Sequence, residues 1–141
     1  VFVDTDICID LLSGRQPFNA SAEILFSLAD VNKLALFVSS LSFSNIDYVL
    51  RSQYSSAHSR QIIARFKTLV NVLSVDSHTI DLAIVSEFND FEDALQNFSA
   101  QNQTEIKLII TRNTKDYKTS LLSILTPNAY LKALKIYKDS Q

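Results

Sequence analysis

The amino-acid sequence predicts an α/β protein, a three-layer α/β/α sandwich around a central parallel sheet. Two observations carry the prediction. Short apolar runs alternate with stretches of helical periodicity along the whole length, and repeated strand and helix alternation specifies parallel strands with helices on both faces. The 141 residues, 47% of them apolar, are enough for one core and too few for two comfortable ones, so residues 1–141 are expected to form a single domain.

In chain order, "VFV" (1–3) has the character of a short buried strand. From Ala20, "ASAEILFSLADV" sets Ile24, Leu25, Leu28 and Val31 at helical spacing. "LALFVSS" (34–40) is the next strand, and "SFSNIDYVL" (42–50) is a helix with Phe43, Ile46, Tyr48, Val49 and Leu50 as its apolar stripe. Ser59 to Leu69 is helical, with Ile62, Ile63, Phe66 and Leu69 on one side. "VNVLSV" (70–75) is a strand, and "SHTIDLAIVSEF" (77–88) opens on a Ser or Thr cap signal and runs as a helix. "DFEDALQNFSAQ" (90–101) is a further helix and "IKLIIT" (106–111) the clearest strand. "TPNAYLKALKIY" (126–137) is a final helix, with Thr126 as cap and Pro127 at its first position. "SGRQPFNAS" (13–21) is the longest evident surface loop.

Composition excludes several function classes. A formal charge of −2 excludes nucleic-acid binding through overall basicity, so such a partner requires a local patch. Cys8 is the one cysteine, which forbids an intrachain disulfide and favours a reducing cytoplasm. Neither His58 nor His78 is marked as a partner for thiol catalysis. With Gly14 as the one glycine, neither GxGxxG nor GxxxxGK[ST] can be written. No apolar run reaches the ~18 residues of a membrane span, and no signal peptide is evident, so the expectation is a cytoplasmic protein with no membrane partner. The sequence contains no methionine, where average usage suggests about three, so spacings inside a motif weigh more than spacings between motifs.

Ligands of parallel sheets gather outside the carboxyl ends of the strands. Asp4 directly follows "VFV", and "TRNTKDY" directly follows "IKLII", so Asp4, Thr111, Asn113 and Asp116 are delivered to one edge. On the "DFEDALQ" helix, Asp90 and Asp93 are three apart and share a face, whereas Glu92 is turned roughly 100° from Asp93, making Asp93 the inward residue. Each acid also has a purely structural reading. Asp90 and Glu92 suit a first helical turn, where negative charge is worth ~0.3 to 1 kcal/mol, and Asp4 suits an Asx turn and helix cap. Asp6 and Asp10 are expected as a cap and an exposed helix face. Carboxylates packed this closely repel one another, and hard oxygen ligands with few histidines fit Mg²⁺ or Mn²⁺. Acidic sites of that kind serve phosphodiester hydrolysis.

At these residues the sequence resembles the PIN domain family of compact metal-dependent nucleases, which includes the VapC-like toxins of bacterial toxin–antitoxin pairs. "VFVDTDICIDLL" resembles the opening hhhDT[ND]xxxDLL pattern, "DFEDALQ" the acidic helix start, and "IITRNTKDY" the strand ending in T-x-D-x-D-[FY]. The resemblance implies a metal-dependent endoribonuclease with Asp4 and Asp93 as principal metal ligands, Asn113 completing the site, and Thr111 positioning a water or ligand. It also marks two departures: Asn113 stands where most members have an Asp, and Asn45 where many have a Glu. An amide oxygen still accepts a contact but brings no negative charge. Asp90, Glu92 or Asp116 then supplies the missing charge, or the domain is a silent module that binds RNA or a protein without cutting.

For substrate, Arg112 is expected close to the metal edge, and Asn45 and Asp116 are the other candidate substrate contacts. Arg51, Arg60, Arg65 and Lys67, interleaved with Tyr54 and Phe66, form an acid-free stretch suited to a phosphate backbone or, equally, to an ordinary solvated helix face. Lys132, Lys135 and Lys138 read as a solvated stripe on the last helix. RNA over DNA, an antitoxin partner and a homodimer are implied by the resemblance alone.

Overall fold

The computed structural model describes residues 1–139, apart from the side chains of 136–138. Among the described residues the chain forms β1 (Phe2–Val3), α1 (Thr5–Ser13), α2 (Asn19–Asp30), β2 (Phe37–Ser39), α3 (Ser40–Leu50), α4 (Ser56–Lys67) and β3 (Asn71–Leu73). It continues through α5 (Ser77–Ile84), α6 (Phe91–Gln101), β4 (Leu108–Ile110), a 3-10 turn (Thr114–Tyr117), β5 (Ser123–Leu125) and α7 (Pro127–Asp139). The strands are all parallel, in the order β3-β2-β1-β4-β5. This is the predicted sheet. The chain runs from β1 out to β3 and then returns to pair β4 with β1, so the strand order reverses between β1 and β4. The crevice outside that point is where open α/β sheets bind ligands.

Successive side chains on a strand point to opposite faces, and the core divides accordingly. Val3, Val38 and Ile110 pack on one face with Ile7, Leu25, Ile46 and Phe66 of α1 to α4. Phe2 and Ile109, their immediate neighbours, pack on the other with Ala100 of α6 and Tyr117. Tyr130 and Leu131 bring α7 back to the first face. Burying a large apolar side chain is worth roughly 1.5 to 3 kcal/mol, which explains how strands as short as β1 and β4 persist: both faces of each are covered.

Local differences from expectation have local causes. β5 was not anticipated; "SIL" is a short edge strand with an exposed first residue and no periodic signature. The cap of α5 is Asp76, whose Oδ1 accepts from the Thr79 backbone N–H and hydroxyl, both at 2.8 Å, and the helix ends at Ile84. α4 starts earlier than expected, under a Ser55 cap. Thr126 caps α7 as predicted, accepting from the Ala129 N–H at 3.1 Å. Tyr48 is 83% exposed and leaves the apolar stripe of α3. Gly14 ends α1 at φ 65°, a left-handed conformation that suits glycine.

Candidate active site

The Asp4 backbone N–H donates to the Ile110 carbonyl at 3.0 Å, extending the β1–β4 ladder and delivering the side chain to the carboxyl edge of the sheet. Asp4 stands at the N-cap position of α1, yet its carboxylate makes no capping bond. Instead Gln96 Nε2 donates to Oδ1 at 3.0 Å, and the Thr111 hydroxyl donates to Oδ2 at 2.7 Å. The carboxylate is therefore held chiefly by these two side chains, with the Asp6 backbone N–H a lesser influence. At 4% exposure, burial raises the Asp4 carboxyl above its ordinary range; the Thr111 bond opposes this, the Asp6 charge adds to it, and the Gln96 bond opposes it.

Thr111 is held at the end of β4 by its own N–H, which donates to the Leu125 carbonyl at 3.0 Å. Its oxygen accepts from the Asn113 N–H at 3.1 Å, so its single proton is directed to Asp4. Asp93, in the first turn of α6, receives the Tyr117 hydroxyl at 3.4 Å. Its carboxyl is pushed up to about 7, first by burial and then by the charges of Asp4, Asp90, Asp116 and Glu92. Asp4 and Asp93 thus belong to one electrostatic neighbourhood. Tyr117 is itself buried, and burial with the charges of Asp4 and Asp93 raises its hydroxyl far above the usual range.

Other expected residues are placed differently. Glu92, turned from Asp93 on an ideal helix yet one of the acids that could supply the missing charge, is held by Asn45, whose Nδ2 donates to its Oε1 at 2.7 Å, and burial, Asp90, Asp4 and Asp6 raise its carboxyl. Asn45 therefore reaches the site as a donor to an acid. Asn113 is exposed and donates from Nδ2 to Asp6 at 3.4 Å. Asp116 is exposed on the 3-10 turn. Asp90 caps α6, accepting from the Asp93 N–H at 3.0 Å, so its structural reading describes its placement.

Asp10 is not on an exposed face. It is fully buried and holds Arg112 in a two-pronged ion pair, Nε to Oδ2 at 2.7 Å and an Nη to Oδ1 at 3.2 Å. The Arg112 guanidinium also lies 4.0 Å over the Phe18 ring, so the cation expected beside the metal edge is directed to α1. Arg51, Arg60, Arg65 and Lys67 are exposed, but Phe66 is in the core and offers no base a stacking face. Lys132 and Lys135 are exposed, and the side chain of Lys138 lies outside the described residues.

Gln96, Thr5, Ser42 and Tyr117 were not anticipated. For Gln96 a signal existed, since it lies three residues after Asp93 and shares its helix face. Thr5 and Tyr117 stand at the T of "DTD" and the last position of "TRNTKDY", motif positions to which no role was given, and Ser42 carries no signal because an uncharged hydroxyl becomes a site residue only through tertiary contact.

Among the described residues, no group of three or more His, Cys, Asp or Glu closes on a common point in the manner of a metal cage. Mg²⁺ does not need one: it keeps several waters and is held through one or two carboxylates. The donors are oxygen throughout, and three carboxyls here, Asp4, Glu92 and Asp93, are raised first by burial and then by neighbouring acids, Asp6 for Asp4 and a set that includes Asp4 for the other two. Donor type and unmet negative charge both fit a hard divalent cation. Among the described residues no helix is long and apolar enough to cross a membrane.

A structure described as a toxin-antitoxin complex from Klebsiella pneumoniae superposes with a TM-score of 0.66 at 22% identity, covering 90% of this chain and 97% of the other. VapBC2 from Rickettsia felis, bound to a DNA fragment from its promoter, gives 0.57 at 15% identity over 88% and 95%. Mycobacterium tuberculosis VapC20, described as a sarcin-ricin loop cleaving toxin, gives 0.58 at 19% identity over 77% and 85%. At these identities the structures establish the fold. No curated protein sequence matches the chain. A family model described as PIN domain matches residues 1–115, and on that match over most of its length the chain belongs to the PIN domain family.

Proposed function

We propose that this chain is a Mg²⁺- or Mn²⁺-dependent endoribonuclease, with Asp4 and Asp93 as principal metal ligands. The observation that carries the reading is Asp4: a buried carboxylate at the strand-order reversal, met by neutral donors and surrounded by further acids. A bound divalent cation supplies charge neutralisation at the scissile phosphate and a more acidic water. The chain's own residues do the positioning. Thr111 orients Asp4, Tyr117 orients Asp93, and Asn113 with Asp6 borders the open side.

RNA as substrate is supported by the family and by the activity named for the Mycobacterium tuberculosis structure. An antitoxin partner is supported by the toxin–antitoxin assemblies among the similar structures. The groove between α1, α2 and α4, about 590 Å³, is floored by Leu12, Phe26, Ile62 and Phe66 and suits an amphipathic partner segment. Tyr48, Ile84 and Val85 are exposed apolar residues available to a homodimer contact.

The test is cleavage of single-stranded RNA with Mn²⁺, comparing the natural chain with Asp4→Asn and Asp93→Asn. Loss of cleavage in both supports the reading; equal cleavage by the variants identifies a contaminant and overturns it. RNA that binds with a steep salt dependence and is never cut establishes the binding module instead, a reading favoured by the amide at Asn113.

A further inference from the structure

Beneath the site runs a buried chain of hydrogen bonds in which the direction of each donor can be worked out. Gln96 Oε1 lies 3.0 Å from the Thr5 backbone nitrogen and 3.1 Å from the Thr5 hydroxyl. A backbone N–H only donates, so the atom facing it must be the amide oxygen, and the amide nitrogen must face Asp4. With the Thr5 proton given to Gln96, the Ser42 hydroxyl at 2.7 Å donates to Thr5. At the far end, Asn113 N–H donates to Thr111 and Thr111 donates to Asp4. The donor direction of every bond along Ser42, Thr5, Gln96, Asp4 and Thr111 is thereby assigned, and reversing one leaves a buried group without its partner.

This has a consequence for Asp4. An ionised carboxylate has about four lone-pair sites, and Gln96 and Thr111 take one on each oxygen. The plane and rotation of the carboxylate are set by these two donors, one from α6 and one from the end of β4. Gln96 is buried at 1% exposure and reaches Asp4 across 92 residues of sequence, so α6 presents Asp93 and the holder of Asp4 from one face.

We propose that Gln96 is a positioning residue, whose amide fixes which lone pairs of Asp4 face the open edge and so sets the affinity of the site for a divalent cation. This rests on the metal-dependent reading above. Groups that orient a metal ligand from behind typically cost 10- to 100-fold in affinity when removed, so about that loss is expected for Mn²⁺ binding by Gln96→Met in calorimetry. Leu25→Ala, a core change in the other layer, controls for lost stability and is expected to bind Mn²⁺ as the natural chain does. If Gln96→Met does not fold, the natural chain still decides: the side-chain amide resonance of Gln96 should shift as Mg²⁺ is added, saturating with the calorimetric affinity. Natural protein that binds neither ion overturns the metal reading itself. Natural protein that binds, together with unchanged affinity in Gln96→Met or an unmoved Gln96 resonance, overturns the positioning role alone.

Discussion

Asp4 and Asp10 are six residues apart, both in or beside α1, both withdrawn from solvent, and satisfied in opposite ways. Asp10 faces cations, Arg112 at 2.7 Å and Arg15 at 3.8 Å. Asp4 faces an amide, a hydroxyl and more acids. A buried anion with a two-pronged guanidinium is electrically complete and ties the segment after β4 to α1. A buried anion with neutral donors alone keeps a net charge that something else must answer. Burial of an aspartate is therefore no guide to its role; the charge of its partners is.

The largest effect should come from the incomplete partner set. Asp4→Asn is expected to abolish Mn²⁺-dependent cleavage, by ~10³-fold or more, because the cation's several kcal/mol of charge stabilisation goes with it; single-turnover kinetics with circular dichroism to verify folding would check this. Asp10→Asn should act on stability instead. Breaking a buried pair costs about 3 to 5 kcal/mol, and with Arg112 21% exposed the low end, ~3 kcal/mol, is expected from urea unfolding. The paired change Asp10→Leu with Arg112→Met should recover much of that loss, since no charge is then left alone. If Asp10→Asn instead removes activity at unchanged stability, the contrast between the two aspartates collapses.

The pH dependence of the metal-free protein sharpens the contrast. The folded carboxyl of Asp93 is raised from 3.8 to about 7, and those of Asp4 and Glu92 are raised as well. A raised folded value means that the folded state holds the proton more tightly, so the stabilising contribution is complete below about pH 4 and is lost as pH rises towards 7. In chelator, the melting temperature should therefore fall between pH 5 and pH 8, and the fall should be smaller in Asp93→Asn. Added Mg²⁺ should flatten it. The smallest effect is expected at Asp90. Asn caps helices as well as Asp, so Asp90→Asn should cost no more than the helix-dipole share, ~0.3 to 1 kcal/mol, and leave Mn²⁺ affinity unchanged if the residue is a cap and nothing else.

Much of the architecture was legible because it rests on local patterns. Apolar runs at "VFV" and "IKLII" mark strands covered on both faces, and the Thr126–Pro127 pair marks the start of α7. β5 was not legible, because three residues at a sheet edge have no period to display. The cap of α5 went to Asp76 in place of Ser77 or Thr79, since neighbouring capping residues compete on backbone geometry that the sequence does not print. At the site, Asp4 and Asp93 stand out as acids next to a strand end and a helix start. Glu92 is legible only as one of three possible sources of the missing charge, because a rotation of roughly 100° on an ideal helix says nothing about how wide the open edge is. Arg112 misled for a related reason: its position beside Thr111 is visible, but its partner Asp10 is 102 residues away.

By itself, the sequence determined the alternation of elements, the parallel sheet it implies, and the two acids that the sheet and a helix carry to one edge. These follow from periodicity and charge, which act between neighbours in the chain. Tertiary structure alone decided which aspartate is neutralised and which is not, that Gln96 holds Asp4, and that Asn45 serves Glu92. A side chain's electrostatic state depends on what lies within a few ångströms of it, and for Asp4 and Asp10 those groups come from α6 and from the end of β4.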